Sequence, residues 1–313
     1  MLNSLTIKAA GNGPGKAAGD APELTAGKEA GVAAGKEAGE RSSELRAELT
    51  CRGGNTILSG RYHTAPIKIA KSFPLHGGAL GIIVMDVSPG MLEGDRYRLH
   101  WLCGPGTHVL ITNQSYTKVH PSAKLGSSMQ QSFVLEEGAI VEHMPEPVML
   151  YREALFHSQT EVRLAPGSVW MQAEVLCPGR TMRGEQFDYQ LFRNELTVRY
   201  GDELIYTQRQ RIEPGVQRLG APGCFEELTH WGTFYVFGDR LKEGHVEQLK
   251  AYLLELPVRE SHPVLAGISA TYRYGLAVTA GAASAWILEE TLRSVWREAR
   301  KVITELESVD WIK

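Results

Sequence analysis

The sequence predicts a mainly β fold: layered, packed β-sheets with strand-turn-strand repeats, plus two C-terminal helices. Three observations carry that reading. Short apolar or alternating runs, punctuated by glycine and proline, fill residues 44–238. One strand-turn-strand theme recurs inside that region. Beyond it the hydrophobic period lengthens from two to about 3.6 residues, the mark of amphipathic helices.

Strand candidates in chain order are 44–51, 55–58, 81–85, 97–102, 107–112, 132–135, 139–142, 160–164, 168–176, 186–200 and 203–212. The recurring theme appears at 102–109 (LCGPGTHV), 135–141 (LEEGAIV) and 164–169 (LAPGSV). Each copy is a strand end, a glycine turn, a small residue and a new apolar strand. Gly106, Gly138 and Gly167 are 32 and 29 residues apart (138 − 106 and 167 − 138), a spacing that stacked layers would give. At 241–256, Val246, Leu249, Tyr252 and Leu253 share one helical face, and Pro257 ends the pattern. Residues 262–279 contain a strand, with alternation over 269–274. The second helix spans 283–305, where Ile287, Leu288, Thr291, Leu292, Val295, Ala299 and Val302 form a stripe. Trp286, Trp296 and Trp311 are expected to pack this region onto the sheets.

Residues 1–43 stand apart. The pentads at 15–19, 27–31 and 35–39 repeat a Gly-Lys-x-Ala-Gly theme, and aromatics are absent. Such a segment buries too little apolar area to offset its ordering entropy, so it reads as a disordered tail. Its Gly-Lys steps do not match GxxxxGK[ST]. Residues 44–313 then form a single domain.

The chain has 313 residues, 43% hydrophobic and 22% charged, an ordinary soluble composition. A net charge of −3 points to neither a nucleic-acid partner nor a membrane partner. No run reaches the ~18 apolar residues of a membrane-spanning helix. The N-terminus lacks a signal-peptide core, so a cytoplasmic location is expected. Cys51, Cys103, Cys177 and Cys224 form no CxxC pair and read as reduced, mostly buried thiols.

Enzyme motifs are missing: there is no GxSxG elbow, no helical HExxH and no dinucleotide fingerprint. Candidate metal ligands are scattered: Asp86, Glu93, Asp95, His100, His108, His120, Glu142, His143, Glu146, His157 and Glu174. Imidazole and carboxylate suit a divalent ion such as nickel or zinc, with thiolate as a softer option. Ligands spread over strand ends fit a transient path better than permanent storage. At 174–187 a carboxylate leaves a strand, and a turn presents Arg180, Arg183 and Glu185. That block reads as a loop paired by Arg–Glu bridges or as a polar site.

Several blocks together resemble the urease accessory protein D family (UreD, called UreH in some species). They are 88–95 (SPGMLEGD), 104–106 (GPG) through 112–119 (TNQSYTKV), 145–147 with 150–156, and 179–185 (GRTMRGE). They occur in the family's order from about residue 45 onward. Asn113 and His120 depart from its commoner Thr and Tyr. The resemblance implies a non-catalytic maturation factor that complexes with the accessory proteins UreF and UreG and docks on apo-urease. It implies help in delivering nickel, with no permanently bound cofactor and Ni²⁺ held only in transit. An internal channel with acidic residues is also implied; motif matching puts these at Asp95 and Glu174. The C-terminal helices are the expected UreF surface. The alternative reading is a stand-alone β-rich hydrolase or carbohydrate-binding protein, with Glu174 and Glu185 as an acid–base pair.

Overall fold

The computed structural model describes residues 39–256 and 263–307. Most of the tail, Pro257, His262 and Trp311 lie outside the described residues. Two sheets face each other. The first is built around parallel strands β1 (Arg41–Arg52), β5 (Asp95–Cys103), β8 (Ser127–Leu135), β11 (Leu155–Leu164) and β13 (Leu191–Tyr200). Antiparallel β2 (Asn55–His63) and β14 (Glu203–Ile212) form its edges. β1 begins at Arg41, three residues ahead of the boundary read from composition.

The second sheet has a parallel centre of β4 (Leu80–Asp86), β6 (His108–Asn113), β9 (Ile140–His143) and β12 (Val169–Cys177). β3 (Ile67–Pro74) flanks it on one side. On the other side lie β15 (His230–Phe237), β17 (Gly275–Ala282) and β16 (Val264–Ala270), all antiparallel. The short strands β7 (Thr117–Val119) and β10 (Val148–Leu150) attach at one end, through β12.

The repeat seen in the sequence is the device that joins the sheets. β5 turns into β6, β8 into β9 and β11 into β12, each passing from the first sheet to the second. Gly106, Gly138 and Gly167 sit in these turns at φ of 64°, 69° and 70°, where a side chain would be strained. They stack. The Gly106 N–H donates to the Glu137 carbonyl at 2.9 Å, and the Gly138 N–H to that of Pro166 at 3.0 Å. Asp239 caps the column, accepting the Gly167 N–H at 3.0 Å and the Tyr200 hydroxyl at 2.7 Å.

Between the sheets lies the larger core. Trp101 stacks on Phe133 with centroids 6.3 Å apart, and Trp170 packs against Phe133 at 5.9 Å. The outer face of the second sheet is covered by α1 (Glu243–Glu255) and α2 (Ala285–Thr304). Val246, Leu249 and Leu253 of α1, and Ile287, Leu288, Leu292, Val295 and Ala299 of α2, are buried, as the stripes predicted. Trp296 is buried too, whereas Trp286 is 45% exposed.

Two further expectations change. The alternation over 269–274 is a hairpin tip, not a strand interior. β16 ends at Ala270, and the Thr271 N–H donates to the Gly275 carbonyl at 2.8 Å, closing the turn. Residues 186–190 are loop, and that strand starts at Leu191. The strands β3 and β15 were not among those read from the sequence. The thiols are free, but only Cys103 and Cys177 are buried.

α2 is fixed by a buried ionic knot. Glu142, fully buried on β9, accepts from Arg300 Nη1 at 2.8 Å and from Trp296 Nε1 at 2.5 Å. His108 Nε2 lies 2.5 Å from the same carboxylate. Two of the scattered metal candidates, His108 and Glu142, are therefore used to hold a helix. Removing one partner of such a knot strands the other charge away from water. Arg300→Met should lower unfolding free energy by about 3–5 kcal/mol in denaturant titration. The double change Glu142→Leu/Arg300→Met should recover much of that loss.

Candidate functional site

β12 is buried on both faces, and its alternation sorts its side chains. Val169, Met171, Ala173 and Val175 face the helices. Trp170 and Leu176 face the first sheet, and Gln172 and Glu174 share that inner side. The aromatic core stops short of Glu174 and leaves a cavity of about 120 Å³ between the sheets. Its walls include Met129, Gln131, His143, Phe156, Ser158 and Glu174. A second cavity of about 30 Å³ lies beside Glu174 and is lined further by Asn194, Gln210 and Trp231. Glu174, Val175, Ser158 and Val148 belong to both, so Glu174 stands at the junction.

The rim of the larger cavity is the polar segment 112–118 together with Asp86 and Ser88–Gly90. On β4, Asp86 accepts the Tyr97 hydroxyl at 3.1 Å, a polar contact between the two sheets at this mouth. Asn113 fixes the rim by accepting the Glu146 N–H at 2.5 Å. Tyr116 donates to Glu289 of α2 at 2.9 Å, tying the rim to that helix.

A line of polar side chains crosses the interior. His143 Nδ1 lies 2.7 Å from Gln172 Oε1. Gln172 Nε2 donates to Glu174 Oε1 at 2.7 Å, and Asn194 Nδ2 of the opposite sheet donates to Glu174 Oε2 at 2.8 Å. Burial pushes the Glu174 carboxyl up to about 7, and the two amide donors only partly offset this. Burial likewise pushes the His143 imidazole down to about 4.

Asp95 sits elsewhere. It is 8% exposed, is absent from the walls of both cavities, and has both carboxylate oxygens engaged. Oδ1 accepts Arg41 Nε at 2.9 Å and Oδ2 accepts the Leu92 N–H at 2.7 Å. The remaining candidates are dispersed. Glu93 braces a loop by accepting the Lys124 and Leu125 N–H groups, which hold its carboxyl below the ordinary range. His100 meets Ser132, His157 faces Glu195, and His120 packs on Tyr151. The fold thus gathers Asp86, His143, Glu146 and Glu174 along one cavity and leaves the others outside it.

The 174–187 block resolves into two parts. Arg180 clasps Glu185 and lies 4.0 Å from the centroid of the Tyr151 ring, which is the paired-loop reading. Glu174 takes no part in that clasp. Sequence reasoning missed Gln172 and Asn194; polar residues on the inner side of apolar strands were the available signal. Among the described residues, no three His, Cys, Asp or Glu side chains converge to hold a metal ion. None of the described helices is long and apolar enough to cross a membrane.

Residues 41–310 match the family described as UreD urease accessory protein. The urease accessory protein UreD of Acetivibrio thermocellus is 34% identical over 257 residues, covering 82% of this chain and 96% of its own. UreD of Bacillus sp. (strain TB-90) is 26% identical over 258 residues, covering 82% and 93%. UreH of Helicobacter hepaticus is 24% identical over 196 residues, covering 62% and 77%.

The burial of Glu174 has a consequence for stability. Its folded-state value lies above its ordinary 4.5, so the folded protein keeps a proton that the unfolded chain releases. That contribution is fully present below pH 4.5 and is lost as pH rises through about 7. His143 acts oppositely: its stabilising contribution is lost as pH falls from 6.5 through about 4. In denaturant titrations, Glu174→Gln should remove the first slope and leave the second. Wild type should lose roughly 3 kcal/mol relative to the variant across the first window.

Proposed function

The chain belongs to the UreD urease accessory protein family, and on that premise we propose that it is the nickel-passing scaffold of urease maturation. In this reading it complexes with UreF and UreG in the cytoplasm, docks on apo-urease, and lets Ni²⁺ pass between its two sheets. The ion is cargo, held only in transit. The observation that carries the proposal is Glu174 at the junction of the two interior cavities.

The chemistry supports passage over storage. Glu174 is held by two neutral amides, from Gln172 and Asn194, and among the described residues no cation pairs with it. It therefore offers negative potential and an oxygen ligand, with water free to complete the coordination shell. A closed cluster of several ligands would trap the ion. Asp86 at the rim and Glu174 inside would act in series. Asp95 would serve the path indirectly, by clamping the turn next to the Ser88–Gly90 rim segment.

The same geometry disfavours the hydrolase reading. Glu185 is absent from both cavities and is bound by Arg180 and the Arg152 N–H, so the two carboxylates do not share a cleft. For UreF, the proposed surface is the outer side of the two helices, where Leu254 and Trp286 are exposed.

Reconstituted urease activation with bound nickel measured directly is the test. Glu174→Gln should cut urease nickel content several-fold while the complex with UreF and UreG still assembles. Asp95→Ala should instead show its first effect on stability. Wild-type nickel loading with Glu174→Gln, or with this chain omitted, would sink the proposal.

A further inference from the structure

Gln172 has a fixed orientation. Toward the ionised Glu174 carboxylate it can act only as a donor, through Nε2 at 2.7 Å. Its Oε1 is therefore turned to His143 and needs a donor there, so the imidazole proton sits on Nδ1 at 2.7 Å. That leaves the lone pair on Nε2. Among the described residues no protein group bonds Nε2, and His143, only 6% exposed, lines the larger cavity. The ring is held by Phe133, 5.2 Å away at 48°. A buried imidazole thus presents an unprotonated nitrogen to the cavity, one hydrogen-bonded amide away from Glu174.

We propose that His143 is the specificity-determining contact of the passage, taking Ni²⁺ directly through Nε2, with Gln172 as the positioning residue that keeps that nitrogen unprotonated. This rests on the conduit reading and adds the basis of its selectivity. Mg²⁺ prefers oxygen and gives up its water reluctantly, whereas Ni²⁺ accepts imidazole readily. Walls of oxygen alone would admit both ions. A single nitrogen donor favours nickel, and one donor is too few to trap it. The ion then meets the Glu174 oxygen across the Gln172 bridge.

The test uses the full-length chain and nickel chloride alone, with magnesium chloride as competitor. Proton NMR of the nickel-loaded protein should show a strongly shifted, slowly exchanging imidazole N–H, which is the His143 Nδ1 proton donated to Gln172. His143→Phe should abolish that resonance and the preference over Mg²⁺. Gln172→Leu keeps the imidazole but frees its tautomer, and should weaken nickel binding by about 10- to 100-fold, as loss of a partner behind a metal ligand does. It should leave magnesium binding unchanged, and it decides the matter if His143→Phe does not fold. Binding lost in Glu174→Gln but unchanged in both other variants overturns the His143 assignment and leaves the conduit standing. Binding indifferent to all three overturns both.

Discussion

The alternation of side chains along β12 is the constraint on which the rest of the molecule depends. This strand has a hydrophobic layer on each side, the inter-sheet core on one and the two helices on the other. Its period of two sends Trp170, Gln172 and Glu174 to one side and Met171, Ala173 and Val175 to the other. A slip of one residue would drive Glu174 into the helix interface and Met171 into the cavity. Pairing with β9 on one edge and β15 on the other fixes the register. The position of the interior carboxylate is therefore a property of the sheet.

That register is set by the stacked glycine turns. Each turn ends a strand of the first sheet and begins one of the second, so all three layers enter the gap in step. The aromatic column of Trp101, Phe133 and Trp170 fills the gap near these turns. Farther along the strands the side chains become smaller and polar: Gln131, Ser158, Gln172 and Asn194. The cavity opens where the fillers run out. The same sheet that forms its wall is clamped to α2 from behind by Glu142 and Arg300. Adjacent residues of β9 thus face opposite ways: Glu142 locks a helix, and His143 lines the cavity.

A buried carboxylate without a cation is costly, and burial is what raises its proton affinity here. A protein selected only for stability would place an apolar residue at 174 or add an arginine. Two amides, from Gln172 and Asn194, hold Glu174 in place without an ion-pair partner among the described residues. Structural carboxylates in the same chain look different. Glu142 has Arg300, Glu185 has Arg180 and Asp95 has Arg41.

By itself the sequence determined the β-rich class, the repeat with its glycine turns, both helical stripes and the family, because these follow from local periodicity, turn chemistry and motif order. It singled out Glu174 through its place before the 179–185 signature. It could not separate Glu174 from Asp95. Both are lone carboxylates beside strands, and only the tertiary structure shows one at a cavity junction and the other closed into a turn with Arg41. Nor could it show that Glu142, beside His108, meets Arg300 at a separation of 158 positions. Hairpin ends such as 271–274 were misread because alternation looks alike in a strand and in an exposed tip. Which scattered polar groups share a space is decided by non-local pairing of strands, and a linear pattern carries no record of that.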